Sequence, residues 1–173
     1  MNGARRLCVV AVSLLGAVAL LVAAPPGRAG AAAAATGGSG FVALTPTGDG
    51  LGYWLATSDG RVLTYGDASF YGAPFASHPN KPIVGMEATA DGHGYWLVAA
   101  DGGIFDYGSA GFFGSAGSLR LNKPVVGMAA TSDGAGYWLV AADGGIFTYG
   151  DAPFFGSTGS LRLNKPIVGM SST

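Results

Sequence analysis

Short apolar runs broken by turns rich in Gly and Asp fill the chain from residue 41 onward, and the pattern recurs. The phrase "GYWLVAADGGIF" stands at 94–105 and again, unchanged, at 136–147, while a looser copy, "GYWLATSDGRVL", stands at 52–63. The phrases "KPIVGM" at 81–86, "KPVVGM" at 123–128 and "KPIVGM" at 165–170 keep the same spacing of 42 residues. Self-similarity at such a period is the mark of a repeat architecture. Cutting after each Lys-Pro gives units 41–82, 83–124 and 125–166, with a partial unit at 167–173 and no insertion between them. Units two and three agree at 34 of 42 positions, and units one and two at 18 of 42, so all three follow one plan.

Within a unit the pattern predicts about four consecutive antiparallel strands. In unit three these are "VVGMAAT", "GYWLVAA", "GIFTYG" and "FFGSTGS", separated by turns at Asp133-Gly134, at Asp143-Gly144 and near 151–153. Asp-Gly between apolar runs is a strong hairpin signal, suited to a type I′ turn. "YWLVAADGGIFTY" therefore reads as one hairpin. The run "YWLVA" is apolar on both of its faces, which a sheet tolerates only when both faces are covered. Stacked four-stranded units of about this length are the blades of a β-propeller. The expected fold is thus all-β, a β-propeller-type array of about three four-stranded 42-residue repeats. Propellers typically have four to eight blades, and "VGMSST" at 168–173 matches "VGMAAT" at 126–131 before stopping mid-unit. The expectation is an array that is incomplete or is closed by oligomerisation, with a β-trefoil as the alternative.

The first 31 residues read differently. Arg5 and Arg6 precede an apolar stretch from Leu7 to Ala24, a Pro25-Pro26 break and the small triplet Ala29-Gly30-Ala31. This is the order of a secretory signal peptide, 1–31. Residues 32–40 form a linker of Ala, Gly and Ser, and 41–173 form the β-repeat domain. The destination is secreted, extracellular or associated with the cell wall. Contact with membrane is expected only through this segment, should it stay uncleaved.

Removing the leader changes the charge and the chemistry on offer. Six basic residues then face ten acidic ones, a formal net charge of −4, and the sole cysteine, Cys8, is lost. No basic stripe remains to neutralise phosphates, so nucleic acid is not an expected partner. His78 and His93 occupy unrelated unit positions and read as solvated turn residues. No P-loop, zincin helix or nucleophile elbow is present. The expected chemistry is therefore non-enzymatic, with no catalytic residues, no metal and no cofactor. Asp49, Asp91 and Asp133 precede one turn, and Asp59, Asp101 and Asp143 the hairpin. A calcium site would need several oxygens converging on one ion, so these read as turn formers making local hydrogen bonds.

The candidate ligand-binding residues are the repeated pairs Tyr53 and Trp54, Tyr95 and Trp96, Tyr137 and Trp138. Adjacent strand residues point to opposite faces. One of each pair can therefore line a surface pocket for a sugar ring while the other, the Trp by preference, packs between units. Arg120, Lys123, Arg162 and Lys165 lie in the recurring "SLRLNKP" connection and read as an exposed loop.

The motifs "GYWLVAADGGIFTYGDAPFFGSTGSL" and "LNKPVVGMAATSDGAGYWLVAADGG" resemble repeats of secreted actinobacterial-type proteins, which occur in longer tandem arrays and sometimes beside cell-wall hydrolase domains. The resemblance spans 41–173. It implies a propeller-like fold and a longer array, and it carries no activity for the repeat itself. The functional expectation is an exported, non-enzymatic binding or interaction scaffold for cell-wall glycan or protein, in which a homo-oligomer is also expected. The alternatives are a structural or accessory repeat region of a longer secreted hydrolase, and a small trefoil lectin.

Overall fold

The computed structural model describes residues 39–172. The leader at 1–31, most of the linker at 32–40, and Thr173 lie outside the described residues. Nine strands form three separate antiparallel sheets, one per unit. Sheet 1 holds β1 (Phe41–Pro46), β2 (Tyr53–Thr57) and β3 (Val62–Tyr65). Sheet 2 holds β4 (Ile83–Ala88), β5 (Gly94–Ala99) and β6 (Ile104–Gly108), and sheet 3 holds β7 (Val125–Ala130), β8 (Gly136–Ala141) and β9 (Ile146–Gly150). Each sheet is a meander with its "GYW" strand in the middle. A short 3₁₀ turn, Pro74–Ser77, follows sheet 1.

The hairpin predicted from "YWLVAADGGIFTY" is present, pairing Tyr137 with Tyr149 and Val140 with Ile146. Its turn is not type I′, because Asp101 and Asp143 keep a negative φ and only the following glycine is left-handed, at φ 82 in both Gly102 and Gly144. Gly102 donates to the Ala99 carbonyl and Ala99 to that of Gly103. This is a type I turn closed by a left-handed glycine, the three-residue hairpin loop.

The fourth predicted strand is absent: "FFGSTGS" and its counterparts run without a ladder beside the sheet. The physical reason lies in where their polar backbone groups go. In unit two the indole N–H of Trp96 donates to the Gly111 carbonyl, the Tyr137 hydroxyl accepts from Phe113 N–H and donates to the Gly114 carbonyl, and Ala116 N–H reaches the hairpin glycine Gly102. Side chains and a turn satisfy the groups that a strand would have paired. The sheets are therefore three-stranded.

Two cores separate the three sheets. One gathers Trp54, Ala56, Ile83, Met86, Tyr95 and Leu97 between sheets 1 and 2. The other gathers Trp96, Val98, Val125, Met128, Tyr137 and Leu139 between sheets 2 and 3. Alternate residues of β5 feed the two cores, so the strand is buried along its whole length, as its two-faced apolar run demands. Strands β1, β4 and β7 stack on one another across the sheets. The fold is all-β, a propeller-type stack of blade-like meanders; the sheets do not join in the shared barrel that a trefoil would need. Sheet 1 keeps one outer face uncovered among the described residues, shown by exposed Phe41 and Leu44 on β1; the outer face of sheet 3 is met along β7 by residues 167–172 and leaves Trp138 on β8 half-buried.

Candidate functional site

The six aromatic residues named from the sequence are placed by the stacking. Trp54, Tyr95, Trp96 and Tyr137 are at most 1% exposed. Trp54 packs on Tyr95 at 5.7 Å between ring centroids, and Trp96 on Tyr137 at 6.0 Å. Trp54 and Trp96 thus point to the following sheet, and Tyr95 and Tyr137 to the preceding one. Tyr95 and Trp96 are both core because both faces of β5 are covered, whereas Trp54 and Tyr137 are buried on the side of their strands that meets sheet 2. Tyr53 and Trp138 differ, since each lies on an outer face and is only half-buried. Tyr53 stacks on Tyr65 at 4.9 Å with 17° between the rings, whereas the covered pairs Tyr95–Tyr107 and Tyr137–Tyr149 are tilted by 49° and 46°.

The rings hold a segment of each unit in place. Each indole N–H donates to a carbonyl fifteen residues on, with Trp54 reaching Ser69, Trp96 reaching Gly111 and Trp138 reaching Pro153 at 2.7 to 2.8 Å. The Tyr95 hydroxyl binds the same segment from the other side, accepting from Tyr71 and Gly72 N–H and donating to the Gly72 carbonyl. Tyr137 repeats the arrangement at Phe113 and Gly114. Burial, opposed by these donors, pushes the Tyr95 phenol up to about 12, so the group stays neutral and free to donate.

Directly after each indole-bound carbonyl stands a phenylalanine. Phe70, Phe112 and Phe154 are 60%, 59% and 61% exposed, so the same ring is presented to solvent once per unit. This ladder was not singled out from the sequence, where "FFG" reads as the start of a strand. The available signal was its recurrence at 42 residues inside a stretch of Gly, Ala and Ser.

The remaining candidates serve the turns. Asp91 accepts from the Thr89 and Ser109 hydroxyls and from His93 N–H, which hold its carboxyl down at about 2. Desolvation pushes Asp59 up, but bonds from Thr57, Ser39 and Arg61 outweigh it and leave the group at about 2. Asp101 and Asp143 accept from Gly103 and Gly145 N–H. His78 and His93 are exposed, as are Arg120, Lys123, Arg162 and Lys165. Among the described residues no cluster of three or more His, Cys, Asp or Glu side chains forms a metal site.

A groove of about 600 Å³ opens on the outer face of sheet 3, lined by Trp138, Asp151, Pro153, Phe155, Gly156 and Met170 among others. It lies where the Tyr of a following unit would sit, by analogy with Tyr95 and Tyr137.

The chain is similar in structure to the β-propeller domain of Cps50 (Swd1) from Myceliophteria thermophila, with a TM-score of 0.44 and 13% identity. The match covers 65% of this chain and 40% of that one, so this chain spans less than half of that structure's length. No protein-family model and no curated protein matches the sequence.

Proposed function

We propose that the chain is an exported, non-enzymatic scaffold that binds extended ligands outside the cell through Phe70, Phe112 and Phe154. The observation that carries this reading is the equal exposure of one phenylalanine per unit, on segments each held by a Trp indole N–H and, for Phe70 and Phe112, also by a Tyr hydroxyl of the next unit. A polymer with repeating ring-shaped units, such as cell-wall glycan, suits such a surface, because each sugar face can lie on a ring and weak contacts sum when geometry lets them engage together. The leader-like start of the sequence supports a destination in the secreted or cell-wall fraction.

The test is co-sedimentation of the full chain with insoluble cell-wall glycan. A stacked aromatic contact is worth about 0.5–1.5 kcal/mol, so each single Phe→Ser variant should weaken binding roughly 2- to 13-fold and the triple variant should abolish it. Saturable binding that survives the triple substitution sinks the phenylalanine surface; no binding by the wild type sinks the glycan. A protein target read through the same three rings is the runner-up. The second function, a structural part of a longer secreted hydrolase, draws on the uncovered outer face of sheet 1 and the partly covered one of sheet 3 and expects no glycan binding at all.

A further inference from the structure

We propose that the outer face of sheet 3 is a docking surface for a second copy of this chain, which presents the outer face of its sheet 1. The two internal interfaces supply the pattern. In each, a Trp from one sheet meets a Tyr from the next, the Tyr hydroxyl takes the N–H and carbonyl of the "FYG" or "FFG" segment, and a neighbouring Phe or Tyr meets the ring edge-on. Sheet 3 offers the same set, met among the described residues only along β7 by residues 167–172. Trp138 is half-buried, Phe155 is 86% exposed although its counterpart Phe113 packs edge-on against Tyr137, and the segment 155–156 lacks the tyrosine that binds its two predecessors.

The glycines repeat the point. A Cβ added at Gly72 would meet the Tyr107 ring at 2.3 Å, and one at Gly114 would meet Tyr149 at 2.4 Å. One added at Gly156 would meet nothing within 4 Å. At the third glycine no tyrosine ring of the described residues makes that close approach.

Sheet 1 carries the complementary half. Tyr53 and Tyr65 hold the positions of Tyr95 and Tyr107, and Phe41 and Leu44 hold those of Ile83 and Met86, which are buried against the preceding sheet. Phe41 and Leu44 are exposed. A large apolar set left open at these positions is an interaction surface. The contact joins unlike faces, so it is head-to-tail, and the pair retains one free face of each kind.

One segment stands in the way. Residues 167–172 lie where β1 of the incoming copy must lie, joined to sheet 3 through the Ile167 N–H to Ala142 carbonyl bond. β1 is paired with β2 from Phe41 to Pro46, so the less anchored 167–172 yields. The second copy then replaces Ile167 and Met170 with its own Phe41 and Leu44.

Sedimentation velocity over a concentration series tests this with the full chain and two variants at exposed positions, Leu44→Asp and Phe155→Asp, whose folding is checked by circular dichroism. The wild type should grow in mass with concentration, and each variant alone should associate at least about ten-fold more weakly, a loss of about 1.4 kcal/mol. An equimolar mixture should recover a discrete dimer, because each variant keeps the face that the other has lost. A wild type that stays monomeric, variants that associate like the wild type, or a mixture that recovers nothing each overturns the proposal. A monomeric wild type whose tryptophan fluorescence shifts with soluble cell-wall glycan would assign the face to glycan instead.

Discussion

Tyr95→Phe removes one oxygen and leaves the ring, and with it the contacts to Trp54 and Tyr71, in place. The lost hydroxyl accepts from Tyr71 N–H at 3.2 Å and Gly72 N–H at 3.1 Å and donates to the Gly72 carbonyl at 2.6 Å. At about 1 kcal/mol net per neutral hydrogen bond, and somewhat more where a donor is left dry, the three together amount to about 2–4 kcal/mol. Tyr137→Phe loses the bonds to Phe113 and Gly114 and should cost about 1–3 kcal/mol. Tyr53→Phe is the same chemical change at a hydroxyl with no hydrogen bond among the described residues, and should fall within about 0.5 kcal/mol of wild type. Urea unfolding of the three variants, compared at a common slope, gives the differences directly. The repeat thus supplies its own control. Equal losses at Tyr53 and Tyr95 would place the cost in the ring or in the unfolded chain, and would refute the idea that the hydroxyl pins the segment that bears the exposed phenylalanine.

Three further outcomes follow from the same geometry. Trp96→Ala should cost about 3–5 kcal/mol as a buried truncation, and Trp138→Ala distinctly less because its ring is only half-covered, as calorimetry or urea titration will show. Gly102→Ala forces a side chain onto a residue at φ 82 and sets its Cβ 2.6 Å from that of Ala116, so it should lose more than the roughly 1 kcal/mol expected at Gly50, where φ is 71 and the space is open. The pH limbs have opposite causes. Tyr95 is raised to about 12 from 10.0, chiefly by desolvation, so the stability it carries is whole below about pH 10 and fades as pH rises through 12. Asp91 is lowered to about 2, chiefly by the Thr89 hydroxyl, so its share is present above about pH 4 and fades as pH falls toward 2. Tyr95→Phe should flatten the alkaline limb and Asp91→Asn the acid one, measured as unfolding free energy against pH.

Much of this architecture was legible in the residues. The 42-residue period, the hairpin around Asp143-Gly144 and the burial of "YWLVA" on both sides follow from local pattern and from the rule that a two-faced apolar strand needs two covers. The fourth strand was not legible, because its apolar letters look like any strand's. The bonds that replace its ladder come from Trp96 and from Tyr137, one of them in the next unit, and no local window contains both. The same distance hid the phenylalanine ladder. The Tyr–Trp pairs were visible as a repeated motif, but their division of labour depends on how many sheets flank a unit, so Tyr95 becomes core where Tyr53 does not.

Each 42-residue unit faces forward with an indole and backward with a phenol, and each half fits the other. A unit of this kind is both plug and socket. Duplicating unit two or unit three, which agree at 34 of 42 positions, repeats the Trp-to-Tyr junction already between them, so array length can grow by recombination within the gene. Length then acts as a dial on the number of exposed phenylalanines, and the near-identity of units two and three is what a recent turn of that dial would leave behind.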